Sequence, residues 1–341
     1  MPEKFMIIEK QVRQTLEDIL VPGAMRSLVK LNLVRQVVVA DQKVDITLAS
    51  TAMDSNAEAW IKSKVSNALE QLGVNQTNVN FVTAAPKELN DVGMVIAVMS
   101  GKGGVGKSLV SALLGIALAR AGKDVGILDA DITGPSIPKM FGLTGIRPRS
   151  SESGIMPVLS KLGISIMSIN LLLEHEDDAV IWRGPIISRV IQQFWEDVLW
   201  GKLDYLIIDL PPGTADAPLT VLQTIPVSGV VIVFSPQELA AMVVKKAVRM
   251  ARKLDIPILG TVENMSYFIP PGSKKKLELF GKSRSQEMSE ATNAPLLSQI
   301  PIDPALAKLC DEGKIEQHSS KILDSLSKNF IKALPEKAKQ T

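Results

Sequence analysis

The eight residues Gly101-Lys-Gly-Gly-Val-Gly-Lys-Ser108 are where residue type and spacing most clearly support chemistry. They satisfy the pattern G-x-x-x-x-G-K-[ST], follow an apolar run and open a helical one, which is the context in which such a loop binds phosphate. Gly101, Gly103, Gly104 and Gly106, with Val105 among them, let backbone N–H groups close around phosphate oxygens, and a helix N-terminus adds favourable charge. Lys107 is expected to reach the β and γ oxygens, and Ser108 to ligate Mg²⁺. A glycine-rich turn with no ligand is the plain alternative, and the strand-before, helix-after context argues against it.

Two acidic strand ends belong with this loop. Leu128-Asp-Ala-Asp131 closes one apolar run and enters the turn Ile-Thr-Gly-Pro-Ser136, which would put Asp129 and Asp131 beside bound phosphates. Asp-x-Asp alone is a weak signal, because a carboxylate at a strand end often only caps a helix. Leu206-Ile-Ile-Asp-Leu-Pro-Pro-Gly-Thr214 is an apolar strand ending in Asp209, the Walker B arrangement that binds Mg²⁺ through water. The Pro-Pro-Gly-Thr that follows is placed to sense a γ-phosphate, and Asp216 to stand behind the site or at an interface.

The elements that must position these residues alternate apolar strands with longer helical runs from Gly93 onward, the pattern of a doubly wound, mostly parallel α/β sheet. Strands are expected at 94–99, 125–128, 164–169, 205–209, 230–234 and 258–263, and helices at 107–121, 185–199 and 238–254. Ligands of such sheets sit at the carboxyl ends of the strands, where the motifs fall. Residues 1–84 read as a separate small α/β domain. Its helix carries Phe5, Ile8, Val12, Leu16 and Ile19; strands follow at 34–40 and 43–48, then a helix capped by Asp54 and a last strand at 79–82. Residues 85–92, with Pro86, read as the linker to an ATPase domain at 93–341. In the last segment, Ile322, Leu326, Phe330 and Leu334 recur at helical spacing without a dense basic face, as in a helix docked on the core.

Composition bounds the partners. With 38 basic and 36 acidic residues the net charge is +2, which gives no electrostatic case for nucleic acid. The longest apolar runs fall short of the roughly 20 residues that span a bilayer. The one cysteine, Cys310, cannot form an intramolecular disulfide, and the N-terminus does not read as a secretory signal, so a cytoplasmic protein is expected. His175 and His318 have no metal-ligand spacing.

Lys102 narrows the reading, since its early place in the loop resembles the deviant Walker A motif K-G-G-x-G-K-[ST]. That resemblance implies a homodimer in which Lys102 reaches the partner's nucleotide, a cation in trans for the charge that develops in phosphoryl transfer. Further stretches, Asp131-Ile-Thr-Gly-Pro-Ser-Ile-Pro138, Ile181-Trp-Arg-Gly-Pro185, Trp200-Gly-Lys-Leu-Asp-Tyr205, Asp209-Leu-Pro-Pro-Gly-Thr214 and Val262-Glu-Asn-Met-Ser266, are similar to blocks of the Mrp/ApbC-type iron-sulfur cluster carrier ATPases. The first eighty residues resemble the small cluster-assembly domain often fused ahead of that ATPase. The resemblance implies ATP and Mg²⁺ as cofactors, Asp131 orienting the attacking water and Asp129 supporting the Mg²⁺ shell. It also places Asn264 at the adenine edge and Pro301 and Asp303 in the loop closing over the base, although Asn and Asp-Pro equally serve local turns.

The family's cargo is implied too, a 4Fe-4S cluster exchanged with scaffold or client proteins. Here the chain departs from the pattern: where the family has Cys-x-x-Cys after Glu-Asn-Met-Ser-Tyr, this sequence reads Phe268-Ile-Pro-Pro-Gly-Ser-Lys-Lys-Lys276. No iron-sulfur ligand is identified, because clusters are held mainly by cysteine thiolates and Cys310, among Ala305, Leu306 and Leu309, reads as packed. A regulatory switch like the partition ATPases, working through nucleotide-dependent partner binding, is the other reading.

Overall fold

The computed structural model describes residues 8–40, 42–132, 134–173, 184–214 and 216–335. The chain forms two compact units, one of residues 1–92, 148–159 and 195–202, the other of 93–147, 160–194 and 203–341.

In the smaller unit, helix α1 (Glu9–Glu17) buries Val12 and Leu16, the apolar positions one helical turn apart. Strands β1 (Val34–Ala40) and β2 (Lys43–Ala49) form an antiparallel hairpin, and β3 (Gln76–Val82) joins β2 in parallel. Between them runs α2 (Ser55–Gln71), started by Asp54, whose carboxylate accepts from the Ala57 N–H at 2.8 Å. Ile61, Val65 and Leu69 bury its inner face while Trp60 and Leu72 stay exposed. The stretch read as a linker holds a helical turn, Pro86–Leu89, and the first two residues of β4 (Asp91–Ser100). The unit also takes in chain that the sequence reading assigned elsewhere. Met156 and Leu199 join its core, and buried Arg26 donates to the carbonyls of Trp200 and Lys202 at 3.0 and 2.9 Å. Hydrogen bonds from a side chain to carbonyls of distant segments leave no trace in local periodicity.

The larger unit is built on a sheet in which seven strands run in the order β10-β9-β8-β4-β7-β5-β6. Besides β4 these are β5 (Val125–Asp129), β6 (Ser165–Ser168), β7 (Lys202–Asp209), β8 (Gly229–Phe234), β9 (Ile258–Glu263) and β10 (Leu296–Gln299). The registers of β8 with β4 and β9, of β9 with β10, and of β5 with β7 and β6 are all parallel. Helices α3 (Lys107–Arg120), α4 (Gly184–Glu196), α5 (Asp216–Thr224), α6 (Glu238–Lys253), α7 (Ser285–Thr292), α8 (Pro304–Asp311) and α9 (Lys321–Ala333) connect and cover the strands. α3 is apolar all round and almost wholly buried, as a helix enclosed by its own domain must be. α9 docks as expected, burying Leu323, Leu326 and Phe330, with the Phe330 ring edge-on to Tyr205 at 5.8 Å. β10 and α7 were not expected: a four-residue strand and an eight-residue polar helix carry too little periodicity to show.

Candidate nucleotide site

The loop 101–108 joins the carboxyl end of β4, which lies between β8 and β7, to the start of α3. Gly106 stands at the helix N-cap with φ of 78°, a left-handed conformation open to glycine, and supplies no capping side chain. The first turn of α3 has no acidic residue, so its N–H groups face the cleft available to an anion. A Cβ on Gly106 would collide with the Asn264 side-chain amide.

A cleft of about 320 Å³ is lined by the loop from Lys102 to Leu109 together with Ser100, Asp131, Ser136, Met140 and Pro212. Lys107, only 5% exposed, donates to Asp209 Oδ1 at 2.9 Å and lies 3.8 Å from Asp131 Oδ2 and 3.4 Å from Ser108 Oγ. Three expected residues therefore meet at one ammonium. Asp209 Oδ1 also accepts from Ser111 Oγ at 2.7 Å, while Oδ2 is buried with no hydrogen-bond partner. An orphaned carboxylate oxygen is costly to bury unless something cationic answers it. It fits a hydrated divalent ion of the kind that phosphate sites hold through one or two carboxylates.

Asp129 lies opposite Asp209 in the β5–β7 register and is fully buried. It does not line the cleft. Its carboxylate accepts from the N–H groups of Asp131, Ser136 and Ile137 at 3.1 to 3.2 Å, so it shapes the turn that presents Asp131 and Ser136. Burial, and after it the Asp209 carboxylate, pushes the Asp129 acid up to about 8. One ammonium cannot balance three buried carboxylates, and protonating Asp129 relieves the excess. Among the described residues no group of three His, Cys, Asp or Glu side chains is arranged to hold a metal ion unaided.

Lys102 lines the mouth of the cleft and donates to Gln237 Oε1 at 2.5 Å. Asn264 is 2% exposed and donates its amide to the Val105 carbonyl at 2.9 Å. It braces the loop from behind, and neither it nor Pro301 or Asp303 lines this cleft. Asp303 caps α8 instead, accepting from the N–H groups of Ala305 and Leu306. Asp216 opens α5 and is exposed; His175 falls outside the described residues. Ser111 and Gln237 escaped the sequence reading. Ser111 had a signal, a hydroxyl four residues after Lys107 set among the apolar residues 109–119 of the helix.

A family model described as an NUBPL iron-transfer P-loop NTPase matches residues 91–334, and one for an iron-sulfur cluster assembly protein matches 9–81. The chain belongs to the iron-sulfur cluster carrier family of P-loop NTPases. Among its relatives, the iron-sulfur cluster carrier protein of Aquifex aeolicus is 39% identical over 337 residues, covering 90% of each chain. That of a Synechocystis species is 37% identical over 345 residues, covering 95% of this chain and 97% of the relative. A solved nucleotide-binding protein in complex with ADP, from Archaeoglobus fulgidus, superposes with a TM-score of 0.62 at 48% identity, over 69% of this chain and 93% of its own. A MinC:MinD cell division complex from Aquifex aeolicus, at 18% identity and a TM-score of 0.51, shares the fold alone. No described helix is long and apolar enough to cross a membrane. The expected family, fold and nucleotide-binding class therefore hold for this carrier-family chain.

Proposed function

We propose that this carrier-family NTPase hydrolyses ATP with Mg²⁺ in the cleft of loop 101–108, and that it does so as a homodimer whose nucleotide state governs the handling of an iron-sulfur cargo. The observation that carries the reading is the convergence of Asp209, Asp131 and Ser108 on buried Lys107 at the helix N-terminus. A nucleotide's phosphates enter against the free N–H groups of the loop and the first turn of α3. Lys107, tied to carboxylates without ligand, is within a side-chain swing of those phosphates and binds their oxygens. Ser108 and Asp209 would hold the metal ion, which when bound neutralises charge developing on the phosphates. Asp131, set by the Asp129-held turn, orients and accepts a proton from the attacking water. Lys102 sits on a mobile-length side chain at the cleft mouth, where it can leave Gln237 for the nucleotide of a second copy.

The cargo enters by kinship with relatives named as cluster carriers. A single cysteine per chain does not supply the four thiolates a 4Fe-4S cluster usually takes, so the carrier works with ligands from a scaffold or client protein. The test is phosphate release by wild type and Lys102→Ala, with nucleotide affinity measured alongside. The variant should keep its affinity within about threefold and lose turnover by about 100-fold or more, the scale of a lost transition-state cation. Equal turnover in the two proteins removes the trans-lysine mechanism, and no Mg²⁺-dependent release from wild type removes hydrolysis.

A further inference from the structure

After β9 the chain leaves the sheet and returns to α7 through residues 264–284. From Pro271 to Ser283 every residue is exposed. The base of this excursion is fastened rather than loose. Phe268 and Leu277 exchange backbone hydrogen bonds of 2.8 Å in both directions, and the Ile302 N–H donates to the Tyr267 carbonyl at 2.7 Å. Buried Glu263 accepts from the hydroxyls of Ser266 and Ser283 and from the Arg284 N–H, all at 2.7 Å. The result is a projecting lobe on a fixed stem.

Its composition is unlike the rest of the surface. Ile269, Leu277, Leu279 and Phe280 are 37 to 57% exposed and account for four of the fourteen large apolar side chains exposed among the described residues. Clustering of that kind marks an interaction surface, whereas scattered exposed apolar residues mean little. Residues 268–284 also carry five basic residues against one acidic, a net +4 where the whole chain has +2. Lys276 lies over the Tyr267 ring at 3.9 Å, which leaves Lys274, Lys275 and Lys282 pointing their charge to solvent.

We propose that this lobe docks the protein on an anionic lipid surface, Leu279 and Phe280 entering the headgroup boundary while the lysines pair with lipid phosphates. Peripheral binding of this kind adds buried apolar area to electrostatic attraction. A projection exposed over thirteen consecutive residues suits a bilayer better than a peptide, whose side chains are received by grooves. A two-fold contact between two lobes would set +4 against +4, so a second copy is disfavoured.

The test uses the full chain and extruded vesicles, either phosphatidylglycerol with phosphatidylcholine at about 3:1 or phosphatidylcholine alone, with bound protein read by co-sedimentation. Wild type should sediment with the anionic vesicles and stay in solution with the neutral ones. Two double variants, Leu279→Ser with Phe280→Ser and Lys274→Glu with Lys275→Glu, should each lower the bound fraction about tenfold or more. Their phosphate release in solution should match wild type, since none of the four lines the cleft. The proposal is overturned if wild type ignores both vesicles, binds them equally, or is matched by either variant. A fall in solution mass of the Leu279/Phe280 variant without any vesicle binding would assign the lobe to self-association instead.

Discussion

The carboxyl ends of β4 and β9 lie at the same edge of one parallel sheet and handle charge in opposite ways. At β4 the chain buries its ionisable groups: Lys107, Asp129, Asp131 and Asp209 are each at most 8% exposed, and Lys107 lies within 3.8 Å of both Asp131 and Asp209. At β9 one buried carboxylate, Glu263, ties down a stem, and the chain from Pro271 to Ser283 beyond that stem is exposed, rich in apolar and basic residues. Buried ions constrain each other, so little can change there without loss. A surface lobe on a fixed stem can exchange its contents freely, and this one carries Pro-Pro-Gly-Ser-Lys-Lys-Lys where the related ATPases are expected to carry their cysteine pair. The nucleotide end is held by mutual contacts among its buried groups, whereas the lobe is held only at its stem.

The sharpest blow to that contrast falls on Lys107. Removing it as Lys107→Ala should abolish phosphate release, by at least about 100-fold, because no other cation in the cleft meets the phosphates from below. It should also weaken the nucleotide-free protein by about 3 kcal/mol, read as an earlier thermal transition, since breaking a buried pair leaves its carboxylates uncompensated. Full stability with lost activity would mean that Asp209 and Asp131 are relieved by water, and that the cleft is less dry than its burial implies.

Glu263→Ala should have a smaller and more local effect. The Arg284 N–H and the Gln299 amide, which donates to Glu263 Oε2 at 2.7 Å, would lose their acceptor at a cost of about 2 to 3 kcal/mol. Because the stem opens locally, tryptic cleavage after Lys274, Lys275 or Lys276 should accelerate about tenfold or more while the rest of the chain resists. Phosphate release falling in step with that cleavage would show that the two ends act as one, through Asn264, which follows Glu263 and braces the Val105 carbonyl.

Much of this was legible in the sequence because it is local. The loop, its strand and its helix are contiguous, so Gly101 to Ser108 announce both position and chemistry. Asp209 and Asp131 are found by their place at the ends of apolar runs, since parallel strands bring carboxyl ends together. What stayed hidden depends on three-dimensional neighbours. Asp129 turns away from the cleft to collect backbone N–H groups, and Asn264 is drawn under the loop because glycine at 106 leaves room for its amide. Asp303 could serve a base contact or a local turn in sequence, and in the structure its carboxylate accepts from two N–H groups at the start of α8. The membership of residues 148–159 and 195–202 in the smaller unit rests on Arg26, whose partners lie 174 and 176 residues away, and on the burial of Met156 and Leu199 in its core.

The last expectation bears on cargo. Cys310 is half-buried on α8, and burial first, then the Asp311 carboxylate, pushes its thiol up to about 11. A raised thiol pKa keeps the protonated form, so at pH 8 only about one molecule in a thousand carries the thiolate, the species that alkylates and ligates iron. Iodoacetamide should therefore modify Cys310 roughly 100-fold more slowly at pH 8 than a thiol of pKa 9, the rate rising about tenfold per pH unit toward pH 10. In anaerobic reconstitution, wild type and Cys310→Ser should then retain the same negligible iron and sulfide. Fast alkylation at pH 8, together with a stoichiometric cluster that Cys310→Ser loses, would make the paired thiols of a dimer true ligands and return direct cluster binding to this chain.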